Sequence, residues 1–370
     1  RPSMSKAAEL AALIGSQTAL SNRNLIINGA MQVAQRGTSF SYAHDGTTAA
    51  YNLDRFSLAI RGSGYSDEFD CTITQVSDAP AGFSNSLKLT TGTAESAVGA
   101  DEYYNLYQAV EAQNLQLLNY GTSSAKTTTL SFYVKSSITG TFGCSLYQGD
   151  DNRIINRTYT INSANTWERK TISIAADPTG VIDNDNTGGL WIYWSFGQGS
   201  DFDGGTTATD WTGYTTTNFF DSSSTDSVVT TAGATWQITG VQFEVGDVAT
   251  PFEHRSIGDE LARCMRYYYR VDEGNTTGQI ALGIQQDSDD TIAIFHLPQP
   301  LRATPTISFD KLRIHHNNGA EEGNFSCNNI YLNQSMLGLN LDTTNSPFST
   351  DEGISISVNS NGYLEIISEL

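Results

Sequence analysis

Positive charge is scarce in this chain: 20 Lys and Arg face 40 Asp and Glu among 370 residues, a formal net charge of -20. Such a surface opposes non-specific attraction to nucleic acid, so no nucleic-acid partner is expected. Because the acids are scattered rather than blocked, they describe a folded surface and not a disordered acidic tail. Cysteine is nearly as rare. Cys71, Cys144, Cys264 and Cys327 stand far apart with no C-x-x-C pair, which argues for buried thiols over a disulfide framework or zinc site. No apolar run approaches the roughly 20 residues of a membrane-crossing helix, so no membrane insertion is expected. The start Met4-Ser-Lys-Ala-Ala-Glu-Leu10 lacks the long apolar stretch of a secretory signal.

Catalytic motifs are missing too. There is no G-x-S-x-G elbow, H-E-x-x-H, Walker loop or dinucleotide glycine fingerprint. His315 and His316, the only adjacent histidines, fall on a strand end and face opposite ways. A non-enzyme is the expectation, although two carboxylates across a cleft would suffice for a glycan hydrolase. No fixed repeat runs along the chain, which counts against a β-helix.

What is present is alternation. Leu87 and Leu89, then Leu130, Phe132 and Val134, then Phe142, Cys144 and Leu146, then Leu190, Ile192, Trp194 and Phe196 each mark one buried strand face. Polar turns such as Gln148-Gly-Asp150 and Asp177-Pro-Thr-Gly180 separate them, so residues 24–255 read as a β-sandwich or barrel. Apolar parity shifts between Ile238 and Val241, and Gly240 supplies a bulge there. Residues 5–20 read as a short amphipathic helix within an N-terminal segment, 1–23. A second helix starts after Ser256, with Asp259 at its third position and Leu261, Cys264, Met265 and Tyr268 on one face. Alternating runs return beyond it, making 256–370 a helix plus a smaller β domain. Pro298, Pro300 and Pro305 between the runs predict edge strands.

Three segments carry a resemblance. Asn24-Leu-Ile-Ile-Asn-Gly-Ala-Met-Gln-Val-Ala-Gln-Arg-Gly37 is answered by Val241-Gln-Phe-Glu-Val-Gly-Asp-Val-Ala-Thr-Pro-Phe-Glu-His-Arg255, followed by Asp259-Glu-Leu-Ala-Arg-Cys-Met-Arg-Tyr-Tyr-Tyr269. Over residues 24–310 this resembles bacteriophage tail-fibre and receptor-binding proteins. Thr129–Lys135 and Thr166–Ile174, the latter introduced by Trp167, are similar to strands of jelly-roll carbohydrate-binding modules. The resemblance implies an all-β chain whose 24–255 module is a jelly roll. It also implies host attachment through a surface polysaccharide, a homotrimer with residues 4–20 at its symmetric or adaptor-facing end, and contact with other virion tail proteins. The protein would be made in the bacterial host cytoplasm and reside in the virion. A purely structural virion subunit (tail or baseplate adaptor, or decoration protein) and a cellular carbohydrate-binding module are the alternatives.

Aromatic residues suggest where a sugar would bind. On Leu190-Trp-Ile-Tyr-Trp-Ser-Phe196 both faces carry rings, and only one is needed for the core, leaving Trp191 and Tyr193 as flat plates for sugar stacking. The polar stretch 197–226 adds Trp211 and Tyr214, with Asp201, Asp203 and Asn218 as hydroxyl readers. The same rings would serve equally to anchor the loop or fill a subunit interface. Asp183-Asn-Asp-Asn-Thr-Gly188 starts like a calcium loop, but Trp194 holds the twelfth position, so it is no EF-hand. Asp183 and Asp185 either make Asx turns or, by resemblance to jelly-roll modules, hold a structural calcium.

Overall fold

The computed structural model describes residues 22–43, 48–62, 69–272, 279–285, 290–316, 319–322, 326–333, 336–342 and 353–370. The helix expected over 5–20 lies outside them. Two units result, Arg1–Ile257 with Leu370, and Gly258–Glu369.

The first unit carries β1 (Ser39–Ala43), β2 (Thr48–Tyr51), β3 (Ser57–Arg61), β4 (Asp70–Val76), β5 (Ser86–Thr91), β6 (Tyr103–Glu111) and β7 (Thr128–Ser136). After these come β8 (Gly140–Gln148), β9 (Arg153–Ile161), β10 (Glu168–Ile174), β11 (Gly188–Gln198), β12 (Thr212–Gly213) and β13 (Thr235–Val245). A six-stranded sheet runs β1-β4-β5-β13-β7-β10 and a seven-stranded one β12-β9-β8-β11-β6-β3-β2. Pairing is antiparallel throughout, the two-sheet arrangement of a jelly-roll sandwich.

The four alternating sets read from the sequence all point between the sheets, each residue at most 1% exposed and all in one cluster. Burial of each such side chain is worth roughly 1.5–3 kcal/mol. Trp194 anchors the centre, meeting Phe132 edge-on at 5.9 Å. Cys71, Cys144 and Cys264 are buried. The bulge is present: the register of β13 on β7 slips between Thr239 and Gln242. Gly240 has φ +62°, and a Cβ there would stand 2.7 Å from the Phe83 ring.

The segment at 24–33 is a clasp between the two sheets. Asn24 Nδ2 donates to Val241 O at 3.1 Å, while its Oδ1 accepts from the amides of Ile26 and Phe243 at 3.0 and 3.1 Å. Leu25 N and Phe243 O, then Val241 N and Gly29 O, complete the attachment to β13 at 2.9 Å each. A Cβ on Gly29 would sit 2.1 Å from Val241 O, so only glycine allows this approach. Gln108 on β6 grips the other side, exchanging hydrogen bonds with the amide and carbonyl of Ile27, both 2.9 Å. Asn28, at φ +60°, turns the chain by bonding Val33 and Asp54.

The closing segment locks onto the opening one. Glu253 accepts from the amides of Asn22 and Asn24, and Arg255 donates to Ile26 O at 2.9 Å and to Asn24 O. Buried Glu244 accepts from Gln242 Nε2 and from Thr250 N and Oγ1, satisfying a carboxylate that would otherwise be costly to bury. Ile26 and Met31, wholly buried, plug the core at this point.

In the second unit, α1 (Ile257–Met265) follows Ser256 and buries Glu260 and Cys264. It ends one turn earlier than its apolar spacing predicts. Tyr267 N closes onto Cys264 O at 2.9 Å, and Tyr268, expected on the helix face, instead opens a strand. Both tyrosines are 1% exposed, so Tyr267 is core and not a surface ring. The strands are β14 (Tyr268–Asp272), β15 (Gln279–Gln285), β16 (Asp290–His296), β17 (Thr306–His316), β18 (Gly319–Glu322), β19 (Ser326–Asn333), β20 (Met336–Asp342) and β21 (Gly353–Ile367). Their order is β18-β17-β21-β15-β16-β20-β19, with β14 also on β21. Pro298, Pro300 and Pro305 fall between β16 and β17. β16 is interior, between β15 and β20, but β18 covers only Arg313–His316 of β17. Among the described residues, the part of β17 that follows Pro305 pairs with β21 alone and is an edge, as the prolines predict.

Asn24→Ala removes three hydrogen bonds and leaves the Phe243 amide without its acceptor, a loss of about 2–4 kcal/mol. A urea midpoint equal to that of the wild type would show that the clasp is dispensable.

Candidate functional site

The outer face of the seven-stranded sheet has its own layer. Outward positions on β6, β11 and β8 put Tyr107 beside Tyr193, Tyr193 beside Ser145, and Trp191 beside Tyr147. The excursion 199–226 between β11 and β13 folds back over this face. Its Phe202, Ala208, Phe219 and Phe220 pack with Ile154 in a second buried cluster, joined by Tyr103, Tyr147, Tyr193 and Tyr214. Backbone bonds from Asn156 N to Ala208 O (2.7 Å), Tyr214 N to Asn152 O (2.9 Å) and Thr225 N to Thr141 O (2.8 Å) pin the excursion to the strands.

This layer separates the expected site residues. Tyr193 is no free plate: Phe219 and Tyr107 lie 5.0 and 5.4 Å from its ring, and burial, with nearby phenols adding, pushes its hydroxyl well above the ordinary range. Trp211 belongs to the sandwich core, 8% exposed, edge-on to Tyr120 and donating from Nε1 to Ala175 O at 2.8 Å. Asn218 is buried and its amide is spent inside the excursion. Oδ1 accepts from Thr215 N at 2.8 Å and Nδ2 donates to Gly213 O at 3.1 Å. Asp201 is exposed and Asp203 half-exposed, both flanking Phe202, which packs on Tyr103 at 4.8 Å. From Tyr103 to Ala109, the neighbour of Trp191, is six residues along β6, roughly 20 Å at about 3.4 Å per residue. The two aspartates therefore do not share a site with Trp191.

Trp191 and Tyr214 remain together, bridged by a residue the sequence reading passed over. The Tyr147 ring is 5.7 Å from Trp191 and 5.1 Å from Tyr214, and all three are half-buried. Trp191 lies flat across Gly149 and Gly188, where an added Cβ would come within 2.4 Å of its ring at either position. Asn152 orders the row, accepting from Tyr147 Oη at 2.9 Å. The signal for Tyr147 was available in its outward parity on the Phe142, Cys144, Leu146 strand. What the sequence did not reveal was which strand lies next to β11.

Acidic loops border the row. Burial raises the Asp150 carboxyl above its usual range, and the charges of Asp183 and Asp185 add to this against a hydrogen bond from Asp183 N. Asp185 is exposed and held below its usual range by the Thr187 hydroxyl and amide, the Asx-turn arrangement. Among the described residues, no three His, Cys, Asp or Glu side chains converge to hold a metal ion.

No protein-family model matches the chain, nor does any curated protein. Among solved structures, it is similar to the enzymatically active domain of tailspike protein 4 of Bacteriophage CBA120, with 15% identity and TM-score 0.33, covering 60% of this chain and 22% of that one. It thus spans about a fifth of that tailspike chain. A family 11 carbohydrate-binding module from a Clostridium thermocellum cellulosomal cellulase gives 12% identity and TM-score 0.28, covering 62% of this chain and 96% of the module. TmCBM61, solved with β-1,4-galactotriose, gives 11% and 0.26, covering 61% and 100%. Likeness at this level leaves function to be argued from the residues themselves.

Trp211→Ala empties a core site and should cost about 3–5 kcal/mol, whereas Trp191→Ala, on the half-open face, costs markedly less. Thermal melts of the two variants compare them directly, and equal losses would contradict the placement.

Proposed function

We propose that this chain is a non-catalytic attachment component of a tailed-phage virion that recognises a host-surface glycan. The supporting observation is the half-open row Trp191, Tyr147 and Tyr214, fixed from behind by Gly149, Gly188 and Asn152. Ring faces held rigidly beside carboxylate and amide groups are what stacking on a sugar requires, with hydroxyls read by Asn152 and Asp150. The resemblance of the 24–37 and 241–255 segments supplies the virion context and suggests a homotrimer, in which three weak sites act together.

One stacked ring contributes about 0.5–1.5 kcal/mol, or about 2- to 13-fold in affinity. Trp191→Ala and Tyr214→Ala should each weaken retention on an array of bacterial surface polysaccharides by at least that factor while leaving the melting temperature within a few degrees. Wild-type retention by both folded variants would refute the row as the site.

The alternative of a purely structural virion subunit has its own observation in the second unit. Leu282, Ile284 and Ile294 are 66%, 48% and 50% exposed on the adjacent strands β15 and β16, a face suited to protein contact. A protein that binds no polysaccharide on the array but is retained by purified tails would favour this reading. For the trimer, light scattering should give three times the 40.1 kDa chain mass; a monomer at high concentration would exclude it.

A further inference from the structure

The half-open row is bordered by charge of one sign. Gly149, which supports Trp191, opens the turn from β8 to β9, and Asp150 and Asp151 follow it, both exposed. Burial and the Asp150 charge together raise the Tyr147 hydroxyl above its ordinary range, so this carboxylate is felt at the row itself. Asp183 donates its amide to Asp150 Oδ2 at 2.9 Å, and its own carboxylate and that of Asp185 enter the field of Asp150. No charge of opposite sign answers them. Among the described residues, no ion pair includes Asp150, Asp151, Asp183 or Asp185. Arg153, three residues past Asp150, is committed to Asp177 Oδ2 at 2.6 Å and Trp211 O at 3.0 Å. Arg61 pairs with Tyr103, at the other end of β6 from Ala109 and Trp191, and lies 5.3 Å over the Phe202 ring.

The rings of the row are tilted, not coplanar. Trp191 and Tyr214 are turned 47° and 65° from Tyr147, at centroid separations of 5.7 and 5.1 Å. A flat sugar ring can therefore stack on one of them but not on all three, whereas a compact group beside them meets more than one ring. Because a ring face carries the negative part of the aromatic quadrupole, the compact group it favours is a cation. Rings and carboxylates thus select the same sign. An anionic glycan is repelled by the same border.

We infer that the Trp191, Tyr147 and Tyr214 row selects surface glycans that carry an ammonium group, such as unacetylated amino sugars, with the ring faces holding the cation and Asp150 supplying its counter-charge. This inference rests on the glycan reading of the row and narrows it. Acidic polysaccharides are disfavoured, and neutral ones bind more weakly than their amine-bearing counterparts.

Glucosamine oligomers and the same oligomers after N-acetylation test it, because acetylation removes the charge and leaves the backbone. Retention is measured on both at about pH 6, below the range of an amine and above that of an ordinary carboxylate. The wild-type chain is expected to hold the free-amine form at least about fivefold more tightly. Asp150→Asn, which keeps an acceptor for Asp183 N, should lose most of that preference with its melting temperature nearly unchanged. Asp247→Asn removes the same charge from an exposed turn after β13 and controls for general attraction of a polycation to an acidic chain; it should keep the preference. Equal or weaker retention of the free-amine form, or equal losses in the two variants, would overturn the inference. If neutral polysaccharides are meanwhile retained on the array, the glycan reading stands without it; if no polysaccharide is retained, both fall.

Discussion

Asn24 is the residue on which the sandwich closes. Two stacked sheets hold together through apolar burial, but burial is non-directional and does not determine where the open edge between them is sealed. The Asn24 amide does, because it bonds β13 on one side while the next residues are gripped by Gln108 of β6 on the other. Everything conspicuous in the opening and closing segments serves that junction. Gly29 permits the backbone approach, Asn28 takes the left-handed turn, and Glu244, Glu253 and Arg255 satisfy groups that closure buries.

The inner faces were legible in the sequence because burial between two sheets follows the strand period, and twelve alternating residues from four strands met in one core. The Gly240 bulge was legible for the same reason, as a break in that period. Residues of the excursion obey no period, so Trp211 and Asn218 could be placed only by knowing what they fold onto. Tyr268 was misplaced because helical and strand spacing overlap across a junction, and the turn at Tyr267 is made by backbone bonds that no side chain announces. Tyr193 was correctly read as facing away from the core. What covers that face comes from some 20 to 30 residues further along the chain.

The seven-stranded sheet is consequently packed on both sides, with the sandwich core beneath and the excursion above. A sheet so enclosed loses most of its solvent-facing rings to packing, and what remains open is the margin where Trp191, Tyr147 and Tyr214 emerge between the excursion and the acidic turns. Rigidity at that margin has a simple origin. Trp191 rests on two glycines and Tyr147 is tethered through Asn152, so neither ring needs to be ordered by a ligand.

The clasp also determines how the first unit carries load. Because Asn22 and Asn24 are bonded to Glu253 and Arg255, residues 22–24 and 253–255 of this unit are neighbours. Tension applied between residues 22 and 255 passes directly from one to the other across a handful of charge-assisted hydrogen bonds. The sheets beyond lie outside the force path, like a loop of rope above its knot, and remain unstrained until the knot itself gives way.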